Sequence, residues 1–303
     1  MPEPANPQDG EVLVGMGFAP VNLNDLLVLQ GLFPVHPKLP SPVGNEGVGR
    51  VLAVGRGVSG LAVGDVVVLP LYSLTWRERL NVPASQVVRV PAHADLEQLS
   101  MLRINAITAA LLLSEYVRLK PGDWVLQNAG NSSVATTVTA IAKARGLRTI
   151  NLVRRPELVD SVRAAGADAS FVDNEDSLQQ INSLVGERGI GLALDGVGGS
   201  AVGRLATALS AGGTIVSYGS LGGEMTSSAN ILHFIFKNLT YRGFYLDKPE
   251  YEPAVPGIIA EAAELVATGK LRVPVAAVYG IDDVGLAIAH VTRGGKALLK
   301  LGA

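Results

Sequence analysis

One stretch decides the fold of this chain, and it reads Asp123-Trp-Val-Leu-Gln-Asn-Ala-Gly-Asn-Ser-Ser-Val-Ala-Thr-Thr-Val-Thr-Ala-Ile-Ala-Lys-Ala-Arg-Gly-Leu-Arg-Thr-Ile-Asn-Leu-Val-Arg-Arg155. An apolar run at residues 124–126 is followed by a small polar loop, by apolar residues at helical spacing and by a second apolar run at residues 148–153. This order predicts a strand, a helix and a second strand. Because such crossovers have one hand, the strands should be parallel, with the helix on one face of the sheet.

The loop at residues 128–133 should lie at the N-terminus of that helix. Free backbone N–H groups and the helix dipole favour an anion there, such as the pyrophosphate of a dinucleotide. The glycine fingerprint typical of such loops is incomplete, because Ser133 and Ala135 stand where glycines are usual. The loop alone is a weak indication of a cofactor site.

The end of the second strand indicates which dinucleotide binds. An acidic residue there usually meets a free ribose 2′-hydroxyl, whereas arginine meets a 2′-phosphate. This chain has Arg154 and Arg155 at that point, and two guanidinium groups can make bidentate contacts with a phosphate. We therefore predict NADPH rather than NADH. The alternative is a solvated basic pair that opens the next helix.

Composition limits the possible functions. The chain has 303 residues, of which 48% are apolar and 17% charged, so it can bury a large core and form two domains. Its net charge of −2 gives no field for nucleic acid, and no stretch is apolar enough to span a membrane. It has no cysteine, and its four histidines lack metal-ligand spacing. Without a recognisable signal peptide, the expected location is cytoplasmic.

The rest of the chain divides by pattern. Short β-rich runs between Gly and Pro turns, at residues 11–17, 48–54, 66–69 and 87–90, predict a small barrel or sandwich. A helical pattern covers residues 96–119, and strands and helices then alternate up to residue 245. Such alternation predicts an α/β fold with a doubly wound parallel sheet. After it come a helix at 253–268, a strand at 273–278, a helix at 282–291 and a strand at 296–301.

These last four elements are too few to form a domain of their own, so we expect them to belong to the first domain. We predict a barrel-like substrate domain at residues 1–102 and 247–303, and a nucleotide domain at 103–246. The predicted ligand site is a cleft between the two domains.

Several motifs resemble a known superfamily. They are Gly47-Val-Gly49, the turns at Gly55, Gly57, Gly60 and Gly64-Asp65, and Lys120-Pro-Gly-Asp123. Together they are similar to the medium-chain dehydrogenase/reductases, which combine a GroES-like barrel with a Rossmann domain. Four further motifs resemble the 2-enoyl thioester reductase branch: Thr75-Trp-Arg77, Gln127-Asn-Ala-Gly-Asn-Ser-Ser-Val134, Gly146-Leu-Arg-Thr-Ile-Asn151 and Arg242-Gly-Phe-Tyr245.

The resemblance also implies how the site is built. The superfamily's zinc ligands align with Asn22, Asn45 and Ile104, which cannot form a thiolate or imidazole zinc site. A zinc-free reductase is therefore expected, in which hydrogen-bond donors polarise the substrate carbonyl. The implied substrate-cleft residues are Asn22, Asn45, Asn105, Trp76 and Tyr245. The implied NADPH-binding residues are Thr108, Asn131, Ser132, Ser133, Val134, Arg154, Arg155, Tyr218, Gly219, Ser220, Leu221, Phe244 and Lys296.

One departure from the family concerns the proton donor. Enoyl thioester reductases have a tyrosine in a Gln-Gly-x-Tyr motif, and this chain has Gln30-Gly-Leu-Phe33. Phenylalanine keeps the aromatic shape at this catalytic position but cannot donate a proton. The proton would then come from water or from another hydroxyl, such as that of Tyr72 or Thr75. The alternative is that Tyr72 is an exposed loop residue and that Trp76 is a packing residue.

A second departure is Tyr245, where the branch often has tryptophan. A third is that most relatives have an additional strand before the counterpart of Glu11, so either the barrel is incomplete or the true start lies upstream. The leading hypothesis is NADPH-dependent reduction of the C=C bond of an enoyl thioester or enone. The alternatives are an NADPH:quinone oxidoreductase and a catalytically weak NADPH-binding protein.

Relatives commonly pair through the last strand of the nucleotide sheet, so a homodimer through residues 240–245 is expected.

Overall fold

The computed structural model describes residues 4–33 and 35–302. Its strands are β1 (Glu11–Val21), β2 (Val48–Val54), β3 (Val66–Val68), β4 (Arg79–Pro83), β5 (Val88–Val90), β6 (Trp124–Gln127), β7 (Arg148–Val153), β8 (Ala169–Val172), β9 (Ile190–Asp195), β10 (Thr214–Ser217), β11 (Thr240–Gly243), β12 (Ala277–Gly280) and β13 (Ala297–Lys300). Its α-helices are α1 (Leu23–Leu29), α2 (Leu96–Leu99), α3 (Leu102–Leu112), α4 (Ser133–Ala144), α5 (Val159–Ala164), α6 (Asp176–Val185), α7 (Ala201–Ala208), α8 (Ile231–Lys237), α9 (Val255–Ala267) and α10 (Val284–Arg293). Short 3-10 helices lie at Ala84–Gln86, Pro156–Leu158, Gly186–Arg188, Pro249–Ala254 and Ile281–Asp283.

The chain divides into two compact units. The first unit runs to Ile107 and resumes at Pro253, and the second is Thr108–Glu252. The return of the C-terminal segment to the first unit follows from β13, which pairs with β1. The predicted domain boundaries, at residues 102/103 and 246/247, stay a prediction.

The first unit contains a seven-stranded sheet in the order β12-β13-β1-β2-β3-β5, with β4 pairing on β1. Every pairing is antiparallel except that of β12 with β13. Alternate side chains of β1 point into a core that also includes Trp76 and Leu80. Position 49, in the first family motif, requires glycine for a steric reason, because an added Cβ would collide with the Gly15 carbonyl oxygen.

The second unit contains a parallel six-stranded sheet in the order β11-β10-β9-β6-β7-β8. The βαβ prediction for β6, α4 and β7 is confirmed. From β6 the chain moves outward to β8 and then returns to the other side of β6 as β9. The carboxyl ends of β6 and β9 therefore flank the point where the strand order reverses, which is where open α/β sheets bind ligands.

Several element boundaries differ from the prediction. The helical pattern at 96–119 is two helices, and the second ends at Leu112. The strand predicted at 273–278 lies at Ala277–Gly280 instead. Pro274 has no N–H, and the N–H of Val273 donates to the Gln98 side chain at 2.7 Å. Neither residue can therefore donate a hydrogen bond to a neighbouring strand. The short strand β4 was not predicted.

Candidate active site

The predicted phosphate loop is a tight turn in the second unit. It leaves β6 at Asn128, and Ala129 adopts a left-handed conformation with φ of 48°. Ser132 is the N-cap of α4, and its side chain accepts from the Ala135 N–H. A Cβ on Gly130 would lie 2.8 Å from the Asn151 Cβ. The turn therefore packs against β7 and leaves the α4 N-terminus available to an anion.

A buried carboxylate that the sequence reading missed holds this turn. Asp195, at the end of β9, accepts from Asn128 Nδ2 at 2.7 Å and from the Gly198 N–H at 3.0 Å. Asn128 Oδ1 in turn accepts from the Gly196 N–H at 2.7 Å. These bonds tie the turns after β6 and β9 together at the point where the strand order reverses.

The two arginines lie where a 2′-phosphate site was predicted. Arg154 and Arg155 follow β7 directly, and both are exposed. Arg155 Nε lies 3.4 Å from Glu157 Oε1, an exposed ion pair that contributes little free energy. Two solvated guanidinium groups at this strand end suit a phosphate chemically, and their role stays a prediction.

Four other predicted site residues of the second unit lie in different environments, namely the cofactor residues Tyr218, Phe244 and Thr108 and the cleft residue Tyr245. Tyr218 follows β10, and its hydroxyl faces Gly196, where an added Cβ would lie 2.8 Å from it. Burial raises the pKa of Tyr218, and Ser132 acts in the opposite direction, so the phenol lies beside the phosphate loop. Phe244 instead stacks on Tyr251 at 6.1 Å between ring centroids. Tyr245 is exposed, and Thr108 is buried.

Two carboxylates in the first unit join the residues that align with the zinc positions. Asp25 accepts from the Asn22 N–H at 2.7 Å and from the Asn45 N–H at 2.9 Å. Glu46 accepts from Asn22 Nδ2 at 2.9 Å and from the Ile104 N–H at 2.8 Å. Both carboxylates are fully buried. The sequence reading missed them, although Asn22-x-x-Asp25 has the spacing of a capping box, which the structure contains.

Lys296 belongs to this carboxylate cluster, which we define as Asp25, Glu46, Asn22 and Lys296. Its Nζ donates to Asn22 Oδ1 at 2.5 Å. Burial lowers the pKa of Lys296, whereas Glu46 and Asp25 act in the opposite direction. The predicted contact of Lys296 with the cofactor stays a prediction.

Burial raises the pKa of Asp25 to about 7, with the neighbouring Glu46 adding to the rise. Burial also raises the pKa of Glu46 to about 7, although Lys296 acts to lower it. The folded protein therefore keeps protons that the unfolded chain releases near pH 4. The folded protein should therefore be most stable near pH 4, where Asp25 and Glu46 are still protonated.

The free energy of unfolding should consequently fall between about pH 4 and pH 7 and level off above pH 7. For Asp25 alone the expected fall is on the order of 4 kcal/mol, since each pKa unit corresponds to about 1.4 kcal/mol. Urea unfolding at pH 5 and pH 8 covers about two of these pKa units, so Asp25 should contribute a difference of about 3 kcal/mol. Asp25→Asn should make the difference smaller, and the exposed Asp282→Asn should leave it unchanged. An identical difference in wild type and Asp25→Asn contradicts the prediction.

Phe33 and Tyr72 lie beside each other in the first unit. Their ring centroids are 6.3 Å apart, at an interplanar angle of 56°. Tyr72 and Leu74 both have left-handed backbones, with φ of 61° and 57°. Such strain in residues with side chains tends to occur at functional sites. The Tyr72 N–H donates to the Asn45 carbonyl at 2.9 Å, so this loop is attached to the segment of the carboxylate cluster.

Trp76 and Thr75 have structural partners. The Trp76 ring belongs to the core of the first unit, and its indole N–H donates to the Pro20 carbonyl at 3.2 Å. Thr75 is fully buried, and its hydroxyl donates to the Glu46 carbonyl at 2.7 Å. Packing therefore accounts for the position of Trp76, and its predicted contact with substrate stays a prediction. Thr75 supports the main chain at Glu46.

Among residues 4–33 and 35–302, no group of three or more His, Cys, Asp or Glu side chains could hold a metal ion. In the same residues, no helix combines the length and apolar character needed to cross a bilayer.

Comparison with known proteins gives consistent matches. Residues 8–92 match the family model described as alcohol dehydrogenase GroES-like domain, and residues 133–261 match zinc-binding dehydrogenase. The chain is 37% identical over 277 residues to mitochondrial enoyl-[acyl-carrier-protein] reductase of Rattus norvegicus, covering 88% of this chain and 74% of the relative.

Two solved structures are similar over almost the whole chain. The Etr1p complex with NADP and crotonyl-CoA superposes with a TM-score of 0.87 at 24% identity, covering 99% of this chain and 93% of the other. The Escherichia coli quinone oxidoreductase complex with NADPH superposes with a TM-score of 0.83 at 26% identity, covering 99% and 94%. The predicted fold class, a GroES-like domain with a Rossmann-type parallel sheet, is confirmed.

Proposed function

This chain belongs to the medium-chain dehydrogenase/reductase superfamily, and on that premise we propose that it reduces the C=C bond of an α,β-unsaturated carbonyl compound with NADPH. The observation that carries the proposal is its 37% identity over 277 residues to an enoyl-[acyl-carrier-protein] reductase. The substrate class is an enoyl thioester or a simpler enone.

The turn after β6 fits a nicotinamide dinucleotide. Gly130 keeps the backbone close to β7, and the first turn of α4 offers N–H groups to a pyrophosphate. The exposed Arg154 and Arg155 favour a 2′-phosphate over a 2′-hydroxyl, and hence NADPH over NADH. When bound, the reduced cofactor supplies a hydride to the β-carbon of the alkene.

Two tasks then fall to the side chains of the first unit. One is to bind the carbonyl oxygen, which becomes negative as the enolate forms, and the other is to deliver a proton to the α-carbon. We assign the second task to Tyr72. Its ring is beside that of Phe33, the residue at the family's donor position, and the hydrogen bond from its N–H to the Asn45 carbonyl holds its main chain there.

A quinone is the second candidate substrate. Two observations favour it, namely the 26% identity to a quinone oxidoreductase and the phenylalanine at position 33. Reduced quinone oxygens take protons from water, so this reaction needs no side-chain acid. The same cofactor site would serve both reactions.

Steady-state oxidation of NADPH tests the proposal, with crotonyl thioester, an aliphatic enone and a small quinone compared in parallel. We expect the highest kcat/KM with the thioester or the enone. Turnover of the quinone alone would favour the second candidate. Binding of NADPH without turnover of any of the three would favour a catalytically weak NADPH-binding protein and contradict the proposal.

We further propose that the protein is a homodimer through β11. This strand forms one edge of the six-stranded sheet, and all four of its residues are exposed. The preceding helix α8 exposes Ile231, Ile235 and Phe236 by 64%, 62% and 79%. An open edge strand and an exposed apolar helix face are both liabilities, and a second copy of the chain would cover them.

Replacing Ile235 with aspartate should convert this dimer into a monomer, because a charge at an apolar interface must be desolvated. Light scattering after gel filtration measures the mass. Leu286→Asp is the matched control, since Leu286 is 58% exposed and lies in the first unit. A monomeric wild type, or a dimeric Ile235→Asp variant, contradicts the proposal.

A further inference from the structure

Two buried amide nitrogens in the first unit have no hydrogen-bond acceptor among the described residues. They are Nδ2 of Asn45 and Nδ2 of Asn105, and the two residues are only 3% and 4% exposed. Folded proteins pair nearly all such groups, because a buried donor without a partner loses its hydrogen bonds to water and gains nothing in return. Two unpaired donors in one region are therefore candidates to bind an acceptor atom of a ligand.

The main chain around Asn45 is fixed on both sides. Its N–H donates to Asp25 Oδ1 at 2.9 Å, and its carbonyl accepts from the Tyr72 N–H at 2.9 Å. With both backbone groups paired inside the protein, Asn45 cannot move toward solvent without breaking buried hydrogen bonds. The side-chain donor is thus held in place before any ligand binds, which lowers the cost of binding.

Glu46 connects the two chain segments that carry Asn45 and Asn105. It follows Asn45 in the chain, and its Oε2 accepts at 2.8 Å from the N–H of Ile104, the residue before Asn105. The same carboxylate is tied to Asn22 at 2.9 Å. Glu46 and Asp25 therefore act as positioning residues for the two donors.

The chemistry of the two donors indicates which kind of ligand they would bind. Neutral amide N–H groups attract an oxygen with free lone pairs, and a carbonyl oxygen can accept two hydrogen bonds. The two asparagines are almost completely buried, and burial disfavours an anionic ligand such as a carboxylate. A neutral carbonyl that gains negative charge during reaction fits these conditions.

We propose that Asn45 and Asn105 donate hydrogen bonds to the carbonyl oxygen of the unsaturated substrate and stabilise its enolate. The inference rests on the proposed function. NADPH, when bound, would supply the hydride whose electron pair forms the new C–H bond at the β-carbon. The C=C π pair moves to form a double bond between the α-carbon and the carbonyl carbon, and the C=O π pair moves to oxygen. A proton then bonds to the α-carbon as the C=O bond reforms.

Infrared spectroscopy of crotonyl thioester labelled with ¹³C at the carbonyl tests the proposal directly. The thioester is bound with NADP⁺, which cannot donate a hydride, so the complex does not react. The carbonyl band should lie at lower frequency in the wild-type complex than in water. In Asn45→Leu and in Asn105→Leu, which keep the side-chain shape without the donor, the band should return toward higher frequency.

Kinetics supply the second readout. Each leucine variant should lower kcat with the thioester about 100-fold or more, as the loss of one oxyanion donor does elsewhere. KM should change little, because the bonds strengthen as charge develops on oxygen. The affinity for NADPH should be unchanged, and Asn182→Leu, on an exposed face of α6, should match wild type in both readouts.

An unshifted carbonyl band in the wild-type complex would overturn the assignment, even if the leucine variants fail to fold. So would full kcat in both variants. Failure of the proposed function looks different, because wild type would then oxidise no NADPH with any unsaturated carbonyl. A shifted band in that case would still identify the two donors as a carbonyl site.

Discussion

Replacing Tyr72 with phenylalanine is expected to lower kcat for crotonyl thioester by about 10²- to 10⁴-fold, the usual contribution of a positioned acid. Hydride addition leaves an enolate whose α-carbon still needs a proton, and Phe33 cannot supply it. The Tyr72 ring lies 6.3 Å from that of Phe33 and would be the remaining phenol at this place. Steady-state rates with the thioester measure the effect.

Two comparisons separate a lost acid from a damaged loop. Quinone reduction by Tyr72→Phe should stay near the wild-type rate, because its oxygens take protons from water. Adding Phe33→Tyr to Tyr72→Phe should recover most of the thioester rate by restoring the phenol at the family's position. Unchanged thioester reduction in Tyr72→Phe would show that the proton comes from elsewhere. A parallel loss of quinone reduction would point to structural damage.

The second large effect is expected at the cofactor site. Changing Arg154 and Arg155 together to alanine should weaken NADPH binding by about 100-fold or more, because each charge-assisted hydrogen bond is worth about 1.5–3 kcal/mol. Binding of NADH should change by no more than about threefold, since it has no 2′-phosphate. Calorimetric titration with each dinucleotide gives both affinities.

Arg56→Ala is the matched control for this pair. Arg56 is also highly exposed and forms an ion pair with Asp9 in the first unit, so its loss should leave both affinities unchanged. Equal weakening of NADPH and NADH by the double variant would remove the argument that the arginines bind the 2′-phosphate.

The second unit was predictable because its signals are local. An apolar run, a small-residue loop, a helical pattern and another apolar run follow each other within residues 123–155, and the structure places β6, α4 and β7 there. The parallel sheet then follows from the handedness of such crossovers. Arg154 and Arg155 could be located for the same reason, although their role stays a prediction.

The carboxylate cluster could not be predicted because its members are distant in sequence. Asp25, Glu46 and Lys296 meet only after β13 pairs with β1 and the loop before β2 packs against α3. No periodicity in the sequence encodes such contacts. Asp195 is similar, since its importance depends on Asn128, which lies 67 residues earlier.

Boundary errors came from competing backbone demands. Residues 273–276 have the apolar character of a strand, but Pro274 lacks a donor and the Val273 N–H is bonded to Gln98. The indole N–H and the ring of Trp76 have partners inside the core, and its predicted contact with substrate stays a prediction. The cytoplasmic location stays a prediction, since the rat relative is named as mitochondrial.

The most direct test of the proposed function follows the hydride itself. The two diastereomers of NADPH deuterated at C4 of the nicotinamide are used separately with crotonyl thioester, and the product is analysed by mass spectrometry and NMR. One diastereomer should give butanoyl thioester with a single deuterium at the β-carbon, while the new α-hydrogen comes from solvent. NADPH oxidation without deuterium in a saturated thioester, or no oxidation at all, would contradict the account.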